Sequence, residues 1–243
     1  MRLALAAAVL FSLAHPSAHA DVALDRTRLI YPASEKEVGF RVRNEGAQPS
    51  LVQVWVDSGD KGQTPDESEA PFLVTPPVVR VDAQNGQRFR LRHTGAALPK
   101  DRESAFWLNV LEVPSSSPNE DGGNRLHIVF RSRIKLFFRP DGLDGRVDQA
   151  PAMLIWRAVP AGGGAGWELE CENPSAYHIS FSEVAWSVGG ESKSLPPTDM
   201  LAPRGRVRIP LPSTGPSRPQ GTVHFSVIND YGGRSEFSAP LKP

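Results

Sequence analysis

The chain has 243 residues, 40% of them hydrophobic, with 27 Lys plus Arg against 27 Asp plus Glu. That length accommodates two domains of ordinary size, and the balanced charge argues against nucleic acid or an anionic membrane surface as the main partner. The single cysteine, Cys171, excludes an internal disulfide, so stability has to come from apolar cores.

Residues 1–20 read as an export signal. Arg2 gives a positive start, residues 3–14 form an apolar run, and Ala18-His19-Ala20 fits a small-residue cleavage site. The run is shorter than the ~20 residues a membrane-spanning helix needs, and no later stretch qualifies, so no membrane insertion is expected. Cleavage would start the mature chain at Asp21, leaving 26 basic against 27 acidic residues.

Pro (23) and Gly (21) are frequent and the apolar runs are short, which predicts an all-β protein. Predicted strands in the first half are 23–31, 37–44, 51–57, 72–75, 87–92, 106–113 and 126–138. Val38, Phe40 and Val42 alternate, as do Val52, Val54 and Val56, the mark of strands with one buried face. This spacing suggests an immunoglobulin-like sandwich, with Trp55 as a core aromatic.

Residues 114–124 contain Ser115-Ser116-Ser117-Pro118 and Asp121-Gly122-Gly123, a polar loop expected to be mobile until a partner binds. The strand after it, 126–138, would span roughly 43 Å, against a usual length of about five or six residues. Leu126, Ile128 and Phe130 occupy every second position and share one face of an unbulged strand. Such a strand is expected at a sheet edge, where apolar residues are a liability unless they pair with another chain. Alternation puts Lys135 on the opposite face; strand twist, or a bulge near residues 131–133, could bring it round.

Turn-forming residues between Arg139 and Pro151 place a boundary there, giving domains of 21–139 and 151–243. Predicted strands in the second half are 154–159, 167–172, 178–187, 206–211, 223–229 and 235–238, with Asn229-Asp230-Tyr231-Gly232-Gly233 as a tight turn. His93, His127, His178 and His224 show no metal-ligand spacing. No nucleophile elbow or phosphate loop is present, and Cys171 has no activating context. The pattern implies no metal, no cofactor and no catalytic residue, so an enzyme is disfavoured.

Six segments in order carry a resemblance. They are Leu24-Asp25-Arg26-Thr27-Arg28-Leu29-Ile30-Tyr31, Thr75-Pro76-Pro77, Leu98-Pro99-Lys100-Asp101-Arg102-Glu103-Ser104, Phe106-Trp107-Leu108-Asn109, Ile134-Lys135-Leu136-Phe137-Phe138-Arg139-Pro140 and Ile228-Asn229-Asp230-Tyr231-Gly232-Gly233. Together they resemble the periplasmic pilus-assembly chaperones of the chaperone–usher pathway, over nearly all of the mature chain.

The resemblance implies two immunoglobulin-like β-sandwich domains set in an L, in the periplasm of a Gram-negative bacterium. It implies pilus or fimbrial subunits and an outer-membrane usher as partners. It also makes Leu126, Ile128 and Phe130 the donor-strand residues that fill a subunit's groove. Arg28 and Lys135 become the anchor for the subunit's C-terminal carboxylate, and Glu103, Arg139 and Asp230 an interdomain charge cluster. Strand addition of this kind, of which chaperone–pilin complementation is a known case, draws affinity from backbone hydrogen bonds and selectivity from side-chain pockets. When no subunit is bound, the exposed edge is expected to be hidden by self-association or by disorder of the preceding loop. The competing reading is a tandem-sandwich structural or adhesive surface protein, in which Arg28 and Lys135 would have no task.

Overall fold

The computed structural model describes residues 21–115, 128–162, 166–196, 198, 200–212 and 217–242. The expected leader, residues 116–124 of the polar loop, and Leu126 lie outside the described residues.

The first half forms β1 (Val22–Leu24), β2 (Arg28–Pro32), β3 (Val38–Asn44), β4 (Ser50–Asp57), β5 (Phe72–Thr75), β6 (Val78–Val81), β7 (Gly86–His93), β8 (Ser104–Pro114) and β9 (Phe130–Arg139). One sheet has the order β1-β3-β7-β5, and the other β2-β9-β8-β4-β6. Period-two alternation sends one side of each strand inward: Phe40 and Val42 from β3, Phe89 and Leu91 from β7, and Val52, Val54 and Val56 from β4. Phe40 and Phe89 are cross-strand partners with rings stacked at 5.2 Å. Glu112, buried at the rim of this core, accepts hydrogen bonds from the Val22 amide (3.1 Å) and the Ser50 hydroxyl (3.0 Å), which satisfies a carboxylate that burial would otherwise penalise.

The second half forms β10 (Ile155–Pro160), β11 (Trp167–Glu172), β12 (Ile179–Val188), β13 (Glu191–Ser194), β14 (Met200–Leu201), β15 (Arg206–Pro210), β16 (Thr222–Ile228) and β17 (Arg234–Pro240). Its sheets are β10-β11-β15 and β13-β12-β16-β17, with β14 added to β12. Trp156, Phe181 and Phe225 pack at its centre. Cys171 is fully buried there, and burial, then the neighbouring Glu172, pushes its thiol pKa up, so it serves as a small apolar filler.

The all-β, two-sandwich architecture holds, with local corrections. The predicted strand 23–31 is two strands in different sheets: Asp25 turns aside, its carboxylate held by Arg26 at 2.9 Å, and the chain crosses from β1 to β2. Trp55 is buried but outside the core cluster, because Val54 and Val56 take the inward positions and leave it on the outer face. The long strand begins at Phe130, with Ile128 and Val129 before it and about half exposed (52% and 47%). It is also an edge over only part of its length. β2 pairs in parallel with residues 135–139 and covers that half, whereas residues 130–134 pair on one side with β8 alone among the described residues.

Candidate functional site

The parallel pairing of β2 with β9 sets Arg28 beside Lys135 and Pro32 beside Arg139. Arg28 is only 9% exposed. One terminal nitrogen donates to the Ile228 carbonyl of the second domain at 2.8 Å, and the guanidinium carbon lies 5.6 Å from the centre of the Phe137 ring. Its buried Nε has no hydrogen-bond acceptor among the described residues. Burial presses the Arg28 pKa below its usual value, against the pull of Asp230 and Glu103. The Lys135 ammonium donates to the Ser180 hydroxyl at 3.2 Å, again across the domains.

Beside this pair is a part-buried ion network. Arg139 Nε donates to Glu103 Oε1 at 2.7 Å, and its two terminal nitrogens hold both oxygens of Asp230 at 2.7 and 3.0 Å. Such bidentate pairing is the strong form of the contact. Burial opposes the charge on Arg139, but Asp230 and Glu103 outweigh it and raise its pKa. Glu103, 4% exposed, also accepts the His178 amide at 2.8 Å, and its own amide donates to the Ala176 carbonyl at 2.9 Å.

The turn after β16 places Asp230. Asn229 Oδ1 accepts the amides of Tyr231 and Gly233, both at 3.0 Å. Gly232 has φ 82°, and a Cβ there would fall 2.3 Å from the Thr27 hydroxyl oxygen. Only glycine suits both demands, and the result directs Asp230 at Arg139 and leaves Tyr231 98% exposed at the cleft mouth. The cleft holds about 360 Å³ between the domains, lined by Arg28, Phe137, Ser180, Ile228 and Tyr231 among others. That is within the range of small-ligand sites.

The β8–β9 register is unbroken from Ser104 opposite Phe138 to Glu112 opposite Phe130, so no bulge occurs at residues 131–133. Phe130 therefore shares the inner face with Ile134, Leu136 and Phe138, while Arg131, Arg133 and Lys135 share the outer one. Thus Arg28 and Lys135 come together, as do Glu103, Arg139 and Asp230. Ile128 and Phe130 stand at the uncovered end of β9, on the face opposite to Lys135.

The sequence reading missed a clasp on the outer face. Asp57, fully buried, accepts from Arg133 Nε at 3.1 Å, from Asn109 Nδ2 at 2.7 Å and from the Gly59 amide at 2.8 Å. Arg131 lies 5.1 Å over the Trp55 ring and Arg133 4.7 Å over Trp107. Burial works against the Asp57 charge, but Arg133 and Asn109 prevail and hold its pKa below the ordinary carboxylate value. The signal was present in the alternating positions Trp55–Asp57, Trp107–Asn109 and Arg131–Arg133.

Two β-sandwiches joined by a part-buried ion network, with a cleft between them and a strand covered over half its length, define the class of protein. The comparisons agree with that class. The model for the pili and flagellar-assembly chaperone PapD N-terminal domain matches residues 21–144, and that for the PapD C-terminal domain matches 149–239. The chain is 41% identical to the probable fimbrial chaperone YadV of Escherichia coli, over 93% of this chain and 92% of the relative. It is 40% identical to the chaperone protein FimB/FhaD of Bordetella pertussis, over 98% and 95%. Among solved structures, the YadV chaperone superposes with a TM-score of 0.77 at 39% identity, covering 91% of this chain and 100% of that one. A complex of Salmonella enterica SafA pilin with the SafB chaperone gives 0.75 at 31% identity, over 93% and 99%. The chain belongs to the PapD family of pilus-assembly chaperones.

Proposed function

We propose that this chaperone captures pilus subunits in the periplasm by strand addition and passes them to an outer-membrane usher, its mature chain beginning at Asp21. A subunit's C-terminal carboxylate would lie between Arg28 and Lys135, because a guanidinium and an ammonium side by side fix a carboxylate in both position and orientation. With the end fixed, the subunit strand runs along the uncovered edge of residues 130–134, and the anchor sets its register. Ile128 and Phe130, with Leu126 ahead of them, then face the subunit's groove. The cluster of Glu103, Arg139 and Asp230 holds the two domains at the angle the cleft requires. The activity is binding, with no chemical step.

The observation that carries this reading is the buried, unpartnered Arg28 Nε beside Lys135, at the point where β2 stops covering β9. An unsatisfied buried donor is costly, and an incoming carboxylate would satisfy it. The SafA–SafB complex supports a pilin as the partner class. The tandem-sandwich adhesin is not favoured, since the relatives are named chaperones. Co-purification of subunit from the periplasm tests the reading. The parent chain should carry subunit and Lys135→Ala should not; equal recovery with a folded Lys135→Ala would refute the anchor.

A further inference from the structure

The outer face of the β1-β3-β7-β5 sheet carries five arginines, and its four strands contain no acidic residue. Alternation turns the core residues of β3 and β7 inward, which leaves Arg41, Arg43, Arg88, Arg90 and Arg92 exposed. Arg41 and Arg88 are direct cross-strand partners, a like-charge arrangement that weakens a sheet. Among the described residues only Arg90 has a carboxylate within reach, Glu37 at 4.0 Å, with both side chains more than half exposed.

The second domain treats the same geometry differently. On the outer face of β10-β11-β15, Arg157 and Arg206 pair with Glu172 at 2.8 and 3.3 Å, and Arg208 pairs with Glu170 at 3.0 Å. Interleaved charge keeps a sheet face soluble without self-repulsion. The first-domain face forgoes it in a chain whose total charge balances, so the excess is local to this face.

We propose that this arginine face docks an acidic surface of a partner protein. All five cations are arginines, whose planar forks pair side-on with carboxylates. The sheet holds them about 5 Å apart across strands and roughly 7 Å along them, a rigid array suited to carboxylates on a folded element. A bilayer is a poorer match: among the described residues the face has no aromatic anchor, and its one large exposed apolar side chain is Leu73 at the margin. The face also belongs to the sheet opposite to β9, so an acidic partner and a strand-donating complex can be held at once.

The test uses the whole mature chain with a photo-cross-linking residue at Leu73, in the parent and in Arg41→Glu/Arg88→Glu, with Arg41→Lys/Arg88→Lys as the charge-retaining control. Vesicles of phosphatidylethanolamine and phosphatidylglycerol provide the lipid arm. The parent should give a discrete protein adduct that falls roughly tenfold or more on charge reversal and persists with lysines. Changing the partner's cross-linked carboxylates to lysine should restore it to the reversed variant. Vesicles should not bind at physiological salt. An adduct undiminished by charge reversal, or vesicle binding that reversal abolishes in place of a protein adduct, overturns the proposal. Subunit co-purification should be unaffected by Arg41→Glu/Arg88→Glu. Its absence from the parent would instead sink the subunit-capture reading and leave this one standing.

Discussion

Arg28 of β2 and Lys135 of β9 are register partners across a parallel strand pair, so the sheet itself sets the two cations side by side. Like charges in that position repel, and the carboxylates of Glu103 and Asp230 partly offset this by favouring the charged form of Arg28. The arrangement sets this pair of cations on regular backbone, which is stiffer than a loop.

Lys135→Ala should leave the protein folded and abolish subunit capture, because removing one partner of a desolvated ion pair costs about 2–5 kcal/mol of binding. Arg28→Ala should do the same to capture and in addition lower stability by roughly 1.5–3 kcal/mol, since it loses the charged hydrogen bond to Ile228. Subunit pulldown beside a denaturant titration separates the two effects. Capture retained by either variant in its folded form would contradict the anchor.

Arg139→Ala strands the Glu103 carboxylate in a buried site, and breaking a buried pair in this way costs about 3–5 kcal/mol. Arg146→Ala, which breaks an exposed pair with Asp148, should leave stability essentially unchanged. Urea unfolding measures both. Comparable values would mean that the interdomain network contributes little.

Asp57 gives the protein an acid-sensitive element. Its pKa is depressed in the folded state, so the clasp contributes stability above the unfolded carboxylate value of about 3.9. That contribution is lost as pH falls further, through the folded pKa. Asp57→Asn should lower Tm at neutral pH, and the gap to the parent should close below about pH 4. A gap that stays constant to the lowest accessible pH would contradict this assignment.

Ile128→Asp should block subunit capture while barely moving Tm. The side chain is half exposed in the unliganded chain, yet burying a large apolar residue in a subunit groove is worth roughly 1.5–3 kcal/mol. A large stability loss in a thermal melt would assign Ile128 to the chaperone's own core.

Much of the fold was legible because each strand buries one face: the alternation of Val38, Phe40 and Val42 reports the core directly. Other features depended on tertiary context. β6 is four residues bounded by Pro77 and Asp82, too short for periodicity to register. The sheet switch at Asp25 and the covering of residues 135–139 by β2 arise from pairing between distant segments, which no local pattern encodes. Trp55 is buried, as its size suggests, but parity puts it on the outer face beneath Arg131 and not in the core cluster. Arg28, Glu103 and Asp230 are ordinary charges in isolation; their assembly needs two domains and the Asn229 turn, so only the motif resemblance pointed to them.

Hydrogen exchange along β9, with and without a bound pilus subunit, tests strand lending most directly. Residues 135–138 already lie between β2 and β8, whereas residues 130–134 pair with β8 alone among the described residues. Subunit binding should slow exchange of the 130–134 amides strongly and change those of 135–139 little. Unchanged exchange at 130–134 in a stoichiometric complex would show that the subunit binds elsewhere.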